Sequence, residues 1–248
     1  MELENSKTQH KKSENMYVCV NCGRSAPTLY KHFSSDVLKL CHCSYCGKVV
    51  DEYIEVEITV IFIDALLQKT EAYRHILYNT QIQSLWKLAT IFLLCDAYRM
   101  WVMEKESKPH VGTVREELVY LELEWGFYLM CLKALLGNAV HFLLLAVVGY
   151  VMDIIFNAKR ESFPWKKLFI SLILTSFGKI FFIPSILWRQ GSEIGQVTDI
   201  LITVFVLVSH IQAVKVILSS STCLSTFQVL FTYAVQTRVE VLLNMMEF

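Results

Sequence analysis

Hydrophobic positions are concentrated in the second half of the 248-residue chain, and their spacing there is that of helices with no polar face. Residues 168–188 carry one charge, Lys179, and residues 197–218 carry Asp199 near one end and Lys215 near the other. Residues 127–152 form a third apolar run, with Lys133 near its start and Asn138 and His141 inside. Each run has the length of about 20 residues that a helix needs to cross a bilayer. Two weaker runs complete the set. Residues 85–103 include Lys87, Asp96 and Arg99, and residues 223–243 include Arg238 and Glu240. Such runs either span or lie in the interface. The pattern predicts four to five transmembrane helices within residues 81–248.

Residues 1–80 read differently. Positions 1–16 have no apolar core and are expected to form a short disordered tail, with no secretory signal. Glu55, Val56, Glu57 and Ile58 alternate, which predicts a half-exposed strand with Asp51, Glu52, Glu55 and Glu57 on a solvated face. No glycine-bearing calcium loop accompanies these acids. From Ile61 the spacing turns helical through Ala65, Leu66 and Lys69, and extends toward Ala72, Ile76 and Leu77.

Composition sharpens this division. The chain is 54% hydrophobic and 19% charged, more apolar than one soluble core of this length accommodates. Lys and Arg number 23, as do Asp and Glu, so the basic footprint of a nucleic-acid binder is missing. The five tryptophans, Trp86, Trp101, Trp125, Trp165 and Trp188, fall near the ends of the predicted spans, where amphipathic rings settle at a membrane surface.

Five of the eight cysteines lie in the head. Cys19-Val-Asn-Cys22-Gly23 recurs as Cys43-Ser-Tyr-Cys46-Gly47. Two intervening residues allow both sulfurs of a pair to face one ion, and the glycine after each pair allows the positive φ of a tight knuckle. Four thiolates leave no open coordination position, so the expected metal is one structural Zn²⁺ held by Cys19, Cys22, Cys43 and Cys46. A disulfide pair or a redox Cys-x-x-Cys is the competing reading. Cys41 and His42 are spare donors beside the second knuckle. The fold class is therefore a small α+β zinc ribbon with four cysteine ligands at residues 17–80, followed by an all-α polytopic transmembrane bundle.

Several short motifs stand in a fixed order around these knuckles: Cys19-x-x-Cys22-Gly23, Leu29-Tyr30, Cys43-x-Tyr45-Cys46, Val50-Asp51-x-Tyr53-Ile54-Glu55, Ile63-Asp64, Lys69, and Ala72-Tyr73-Arg74-His75 with Asn79. Together they resemble the homology domain of the Arv family of endoplasmic-reticulum membrane proteins. The resemblance implies a role in sterol homeostasis and in lipid movement out of that organelle, with effects on sphingolipid balance and glycolipid-anchor precursors. It implies membrane lipids, sterol among them, and enzymes of lipid or GPI-anchor synthesis as partners.

Read from the residues alone, Tyr73, Arg74, His75 and Asn79 allow two roles. Arg74 and His75 suit a lipid headgroup phosphate at the membrane surface, while a polar contact between this helix and the zinc lobe requires only local acceptors. In the body, Asp96, Asn138, His141, Lys179, Asp199, His210 and Lys215 are the candidate functional groups, because ionisable and polar side chains at membrane depth are costly. Asn138 and His141 share a helix face and are the residue types of a membrane acyltransferase, a base and an amide for an oxyanion. No nucleophile elbow, zinc-protease histidine pair or phosphate-cradling loop accompanies them. The expected function is non-enzymatic lipid handling, with a scaffold for a lipid-synthesising complex as the second reading and the acyltransferase as the third.

Topology follows from charge. The connection at residues 153–167 carries Lys159, Arg160, Lys166 and Lys167, and short basic loops stay cytoplasmic. Residues 127–152 then begin on the lumenal side. A spanning 85–103 segment puts the zinc head in the cytosol, where free thiolates persist.

Overall fold

The computed structural model describes residues 17–34, 37–80, 85–107, 116–156, 163–187 and 192–245. The expected tail at residues 1–16 lies outside them, as do Trp188 and residues 157–162 of the basic connection, with Lys159 and Arg160. The chain divides into two compact units, residues 1–82 and 83–248.

The first unit is built from two antiparallel hairpins. Strands β1 (Tyr17–Val18) and β2 (Ser25–Ala26) pair Tyr17 with Ala26. Strands β3 (Tyr30–Ser34) and β4 (Val37–Leu40) pair Tyr30 with Leu40, with a register shift between His32 and Ser34. Neither hairpin has the length or the third strand that independent stability requires. Their core is small: Cys19, Ala26, Leu29, Cys43 and Val50 form one buried cluster, and Val20, Tyr53, Ala65 and Ala72 another.

The expected strand at Glu55–Ile58 is not formed. Asp51 caps a 3₁₀ turn over Glu52–Glu55, and helix α1 begins at Ile58 and ends at Leu66. A two-residue alternation of four positions also fits an element boundary. Gln68 adopts φ 61°, which separates α1 from α2 (Thr70–Arg74), and α2 continues into a π-helical turn at His75–Asn79. The helical reading from Ile61 to Leu77 holds apart from this break.

The second unit is all helical. It contains α3 (Leu85–Ser107), α4 (Glu116–Phe156), α5 (Trp165–Thr175), a 3₁₀ stretch (Ser176–Phe181), α6 (Phe182–Leu187), α7 (Ser192–Leu218) and α8 (Thr222–Met245). α4 packs on α3 and α8, α7 packs on α5 and α8, and α3 also meets α5, α6 and the 3₁₀ stretch. At 41 residues α4 is about 60 Å long, twice the hydrocarbon thickness, so the apolar run at 127–152 is only part of it.

Among the described residues, three stretches are long and apolar enough to cross a membrane: Trp125–Ile155, Trp165–Ile186 and Gly195–Leu218. α3 and α8 are helices of sufficient length but are less apolar, so among the described residues three spans stand by length and composition.

The run at 168–188 is apolar as expected yet is not one continuous helix. Pro184 has no N–H to donate to residue 180, and its ring crowds that carbonyl. Gly178 sits where a Cβ would come within 2.7 Å of Phe205 Cδ1 and 2.8 Å of Val206 Cγ2 on α7. The missing side chain allows the broken segment to approach α7. Irregular backbone among apolar helices is tolerated where protein or a cavity lines it, and Lys179 lies in this break.

Candidate functional site

The four knuckle sulfurs converge. Cys19 N–H donates to Arg24 O and Gly23 N–H to Cys19 O, at 2.9 and 2.8 Å. The second knuckle repeats the pattern: Cys43 N–H donates to Lys48 O and Gly47 N–H to Cys43 O, at 2.8 and 2.9 Å. Gly23 and Gly47 take φ +76° and +71°, the left-handed conformation the turn needs. The result sets Cys19 Sγ 3.7 Å from Cys46 Sγ and Cys22 Sγ 3.7 Å from Cys43 Sγ, with all four sulfurs within 4.8 Å of one another. These separations exclude S–S bonds of about 2.05 Å. The two 3.7 Å separations match the edge of a tetrahedron around an ion with metal–sulfur bonds of about 2.3 Å, which is about 3.8 Å.

The thiols are electrostatically unequal. Burial pushes Cys19 up to about 12, while N–H groups of Cys46 and Tyr45 hold Cys43 down to about 6. Four thiolates at this spacing require a cation, so the residues present fit a metal ion. Cys41 Sγ lies instead 3.5 Å from Thr28 Oγ1, and His42 contributes a backbone bridge to Val49. Among the described residues the metal cluster consists of Cys19, Cys22, Cys43 and Cys46.

Asp51 is fully buried, a correction to the solvated face expected for the acidic run; Glu52, Glu55 and Glu57 are exposed as that reading has them. Its Oδ1 accepts from Tyr53 N–H at 3.0 Å, and its Oδ2 accepts from His75 Nδ1 at 2.7 Å and Asn79 Nδ2 at 2.6 Å. Asn79 also clamps β1, accepting from Val18 N–H at 3.0 Å and donating to Val18 O at 2.9 Å. Arg74 Nη1 donates to Val20 O and Asn21 O at 2.6 and 2.8 Å, inside the first knuckle. Tyr73 is buried, and its hydroxyl donates to Gln68 at 2.9 Å. Tyr73, Arg74, His75 and Asn79 are thus engaged within the lobe, the polar contact that the sequence allows as the alternative to a headgroup site.

A second cluster occupies the helical unit. Lys179 Nζ lies 2.6 Å from Asp96 Oδ2 and donates to Asn138 Oδ1 at 2.8 Å. Asn138 Nδ2 donates to Asp96 Oδ2 at 3.0 Å and to Ala134 O at 2.8 Å. The triangle is closed, and both N–H groups of the Asn138 amide are committed, which leaves none for an oxyanion. One turn on, the rings of His141 and His210 stack with centroids 5.5 Å apart. Asp199 and Lys215 lie elsewhere on α7, outside this cluster. Sequence spacing places Asn138 beside His141, but gives no sign that Asp96, Lys179 and His210 join them.

Two cavities meet at this cluster. A small polar one of about 80 Å³ includes Asp96, Arg99, Lys179, Tyr233 and Glu240 in its wall. A larger one of about 840 Å³ is walled by apolar side chains of α3, α4 and α5, with Asn138, His141, Ser176, Lys179 and His210 at its inner end. Its volume is that of a ligand site.

The family model described as Arv1-like family matches residues 18–214. Protein ARV1 of Homo sapiens is 37% identical over 214 residues, covering 86% of this chain and 77% of that protein. Protein ARV1 of Mus musculus is 35% identical and covers 94% and 85%. Protein arv1 homolog of Dictyostelium discoideum is 26% identical and covers 87% and 90%. No solved structure matches the chain. With knuckles, helices and relatives in agreement over most of its length, this membrane protein belongs to the Arv1-like family, and at the level of that family its role is in sterol homeostasis or lipid handling.

Proposed function

We propose that the protein is a non-enzymatic mediator of sterol homeostasis and intracellular lipid transport in the endoplasmic-reticulum membrane, with consequences for sphingolipid balance and glycolipid-anchor precursors. The observation that carries this reading is the 840 Å³ apolar cavity inside the helical unit of an Arv-family chain. A cavity of that kind shelters the apolar body of a lipid, and the committed amide of Asn138 removes the oxyanion donor an acyl-transfer site needs. One Zn²⁺ in the four-cysteine cluster acts structurally, since thiolate ligands in a closed tetrahedron leave no site for substrate.

The lobe faces the cytosol. That assignment is supported by the basic residues 159–167 and by thiols that need a reducing compartment. It requires α3 to span, and the charge of Asp96 is neutralised there by Lys179 rather than exposed to lipid. The test is sterol transfer between donor and acceptor vesicles containing purified protein. Saturable acceleration over protein-free vesicles is expected; no acceleration for sterol or sphingolipid overturns the reading.

A scaffold for a lipid- or GPI-anchor-synthesising complex is the second reading. It is favoured by the exposed apolar surface of α1 and its C-cap residue, where Ile58 is 82% exposed and Phe62, Ile63 and the capping Leu67 more than half exposed. Co-purification of such an enzyme, lost on replacing Phe62 and Leu67 by Ser, supports it over direct transfer.

A further inference from the structure

The inner end of the large cavity has a hydrogen-bonding imbalance. Neither ring nitrogen of His141, a 6%-exposed residue, makes a hydrogen bond, and Nδ1 of the equally buried His210 makes none. The carbonyls of Thr232 and Leu172 stand near these rings without meeting hydrogen-bond geometry. A neutral imidazole has one donor and one acceptor, and leaving both unmatched in an apolar interior is unfavourable. Ser176 Oγ lies 3.5 Å from His210 Nε2, and its own hydrogen goes to Leu172 O at 2.8 Å. In the tautomer that matches this contact, His210 Nε2–H donates to Ser176 and Nδ1 is left as a bare acceptor.

Charge at this end is balanced. The Lys179 ammonium is held by Asp96 and Asn138, so no cation in the cavity wall is free to receive a phosphate. The other end is open: Trp86, Leu135, Leu143 and Phe169 line the cavity and are exposed on the flank of the helices. The two histidines lie at the end of the cavity away from this opening.

We propose that this cavity binds an uncharged lipid whose polar end is a hydroxyl, with His141 and His210 donating to and accepting from that hydroxyl. The inference rests on the lipid-handling reading above and specifies its ligand chemistry. A sterol and a diacylglycerol both present such a group.

The experiment uses full-length protein in phosphatidylcholine nanodiscs with three photoreactive probes: a sterol, a diacylglycerol and, as the anionic control, phosphatidic acid. Saturable labelling by the sterol or the diacylglycerol on cavity-lining peptides of α3, α4 or α5 is expected, and which probe labels identifies the source of the hydroxyl. His141→Phe lowers apparent affinity about tenfold, the effect of one lost hydrogen bond in an apolar site. Ile173→Trp fills the wall and abolishes labelling with the histidines intact. Retained zinc and an unchanged melting temperature verify that both variants fold; if either misfolds, the wild-type peptide map alone decides. Equal labelling by phosphatidic acid, labelling outside the cavity, or full affinity in a folded His141→Phe overturns the proposal. If wild-type protein transfers sterol while its label maps elsewhere, only the site assignment fails. If it neither transfers nor labels, the lipid-handling reading fails with it.

Discussion

His75 Nδ1 lies 2.7 Å from Oδ2 of Asp51, a carboxylate with no exposed surface, and this contact joins the π-helical turn to the cap of the 3₁₀ turn beyond the second knuckle. Both knuckles are tethered to the helical end of the lobe through it and through Arg74. The lobe's two small apolar clusters are thereby held together by directional bonds in addition to packing.

Asp51→Asn is expected to destabilise the lobe by about 2 kcal/mol or more, since an amide offers one acceptor oxygen to three donors and each unmatched buried donor costs about 1–3 kcal/mol. Glu52→Gln, on an exposed neighbour, leaves stability unchanged. Protection of residues 17–80 from proteolysis in the full-length protein reports the difference. Equal protection in both variants refutes the role given to Asp51.

The four-cysteine lobe is legible in the sequence because its determinants are local. Cysteine spacing and the trailing glycines encode the knuckle turns directly, and the positive φ of Gly23 and Gly47 follows. Asp51 is not legible in the same way, because an acid in the run Asp51-Glu52-Tyr53-Ile54-Glu55 looks solvated; its burial depends on partners 24 and 28 residues away. The Asp96–Lys179 pair spans 83 residues, beyond any periodicity. The break at Ser176–Phe181 is hidden because summed hydropathy is blind to backbone, although Gly178 and Pro184 are visible signals.

Asp64 gives the lobe an acid-sensitive contact. Lys69, at 2.8 Å, and the Tyr53 hydroxyl, also at 2.8 Å, hold its carboxyl below the ordinary 3.8. The same contact, after burial, pushes the Tyr53 phenol upward. A depressed carboxyl contributes stability that is complete above the unfolded value and is lost as pH falls through the folded one. Stability of the lobe should therefore decline below about pH 4 with a component that Asp64→Asn removes. Lys69 is half exposed, so the component is small. Urea titrations at pH 3 and pH 6 measure it; an unchanged difference between the two pH values in Asp64→Asn rules it out.

Removing the metal should unfold residues 17–80 while the helices persist, because the hairpins bury too little to stand alone. One zinc per chain is expected by elemental analysis, lost in Cys19→Ser and Cys46→Ser. Gly47→Ala tests the turn without disturbing a ligand. Nothing lies within 4 Å of the added Cβ, so its cost is the left-handed backbone alone, about 1–2 kcal/mol. The variant should bind zinc more weakly in chelator competition. Intact protein free of zinc contradicts the assignment.

Lys179 and Asp96 provide a test of the helical unit that is independent of the ligand. Their side chains are about one-eighth exposed and share Asn138, so removal of one charge strands the other among apolar helices. Asp96→Asn or Lys179→Met should each cost about 3–5 kcal/mol, whereas the double substitution should cost much less than the sum, since the desolvation of both ions is relieved together. The broken backbone at Ser176–Phe181 sharpens this expectation, because Lys179 presents its ammonium from that break and a stranded Asp96 has no other cation within ion-pair distance among the described residues. Melting curves of the four proteins in one detergent give the coupling. Additive losses would mean that the pair contributes nothing as a pair and that the polar end of the cavity is organised by Asn138 alone.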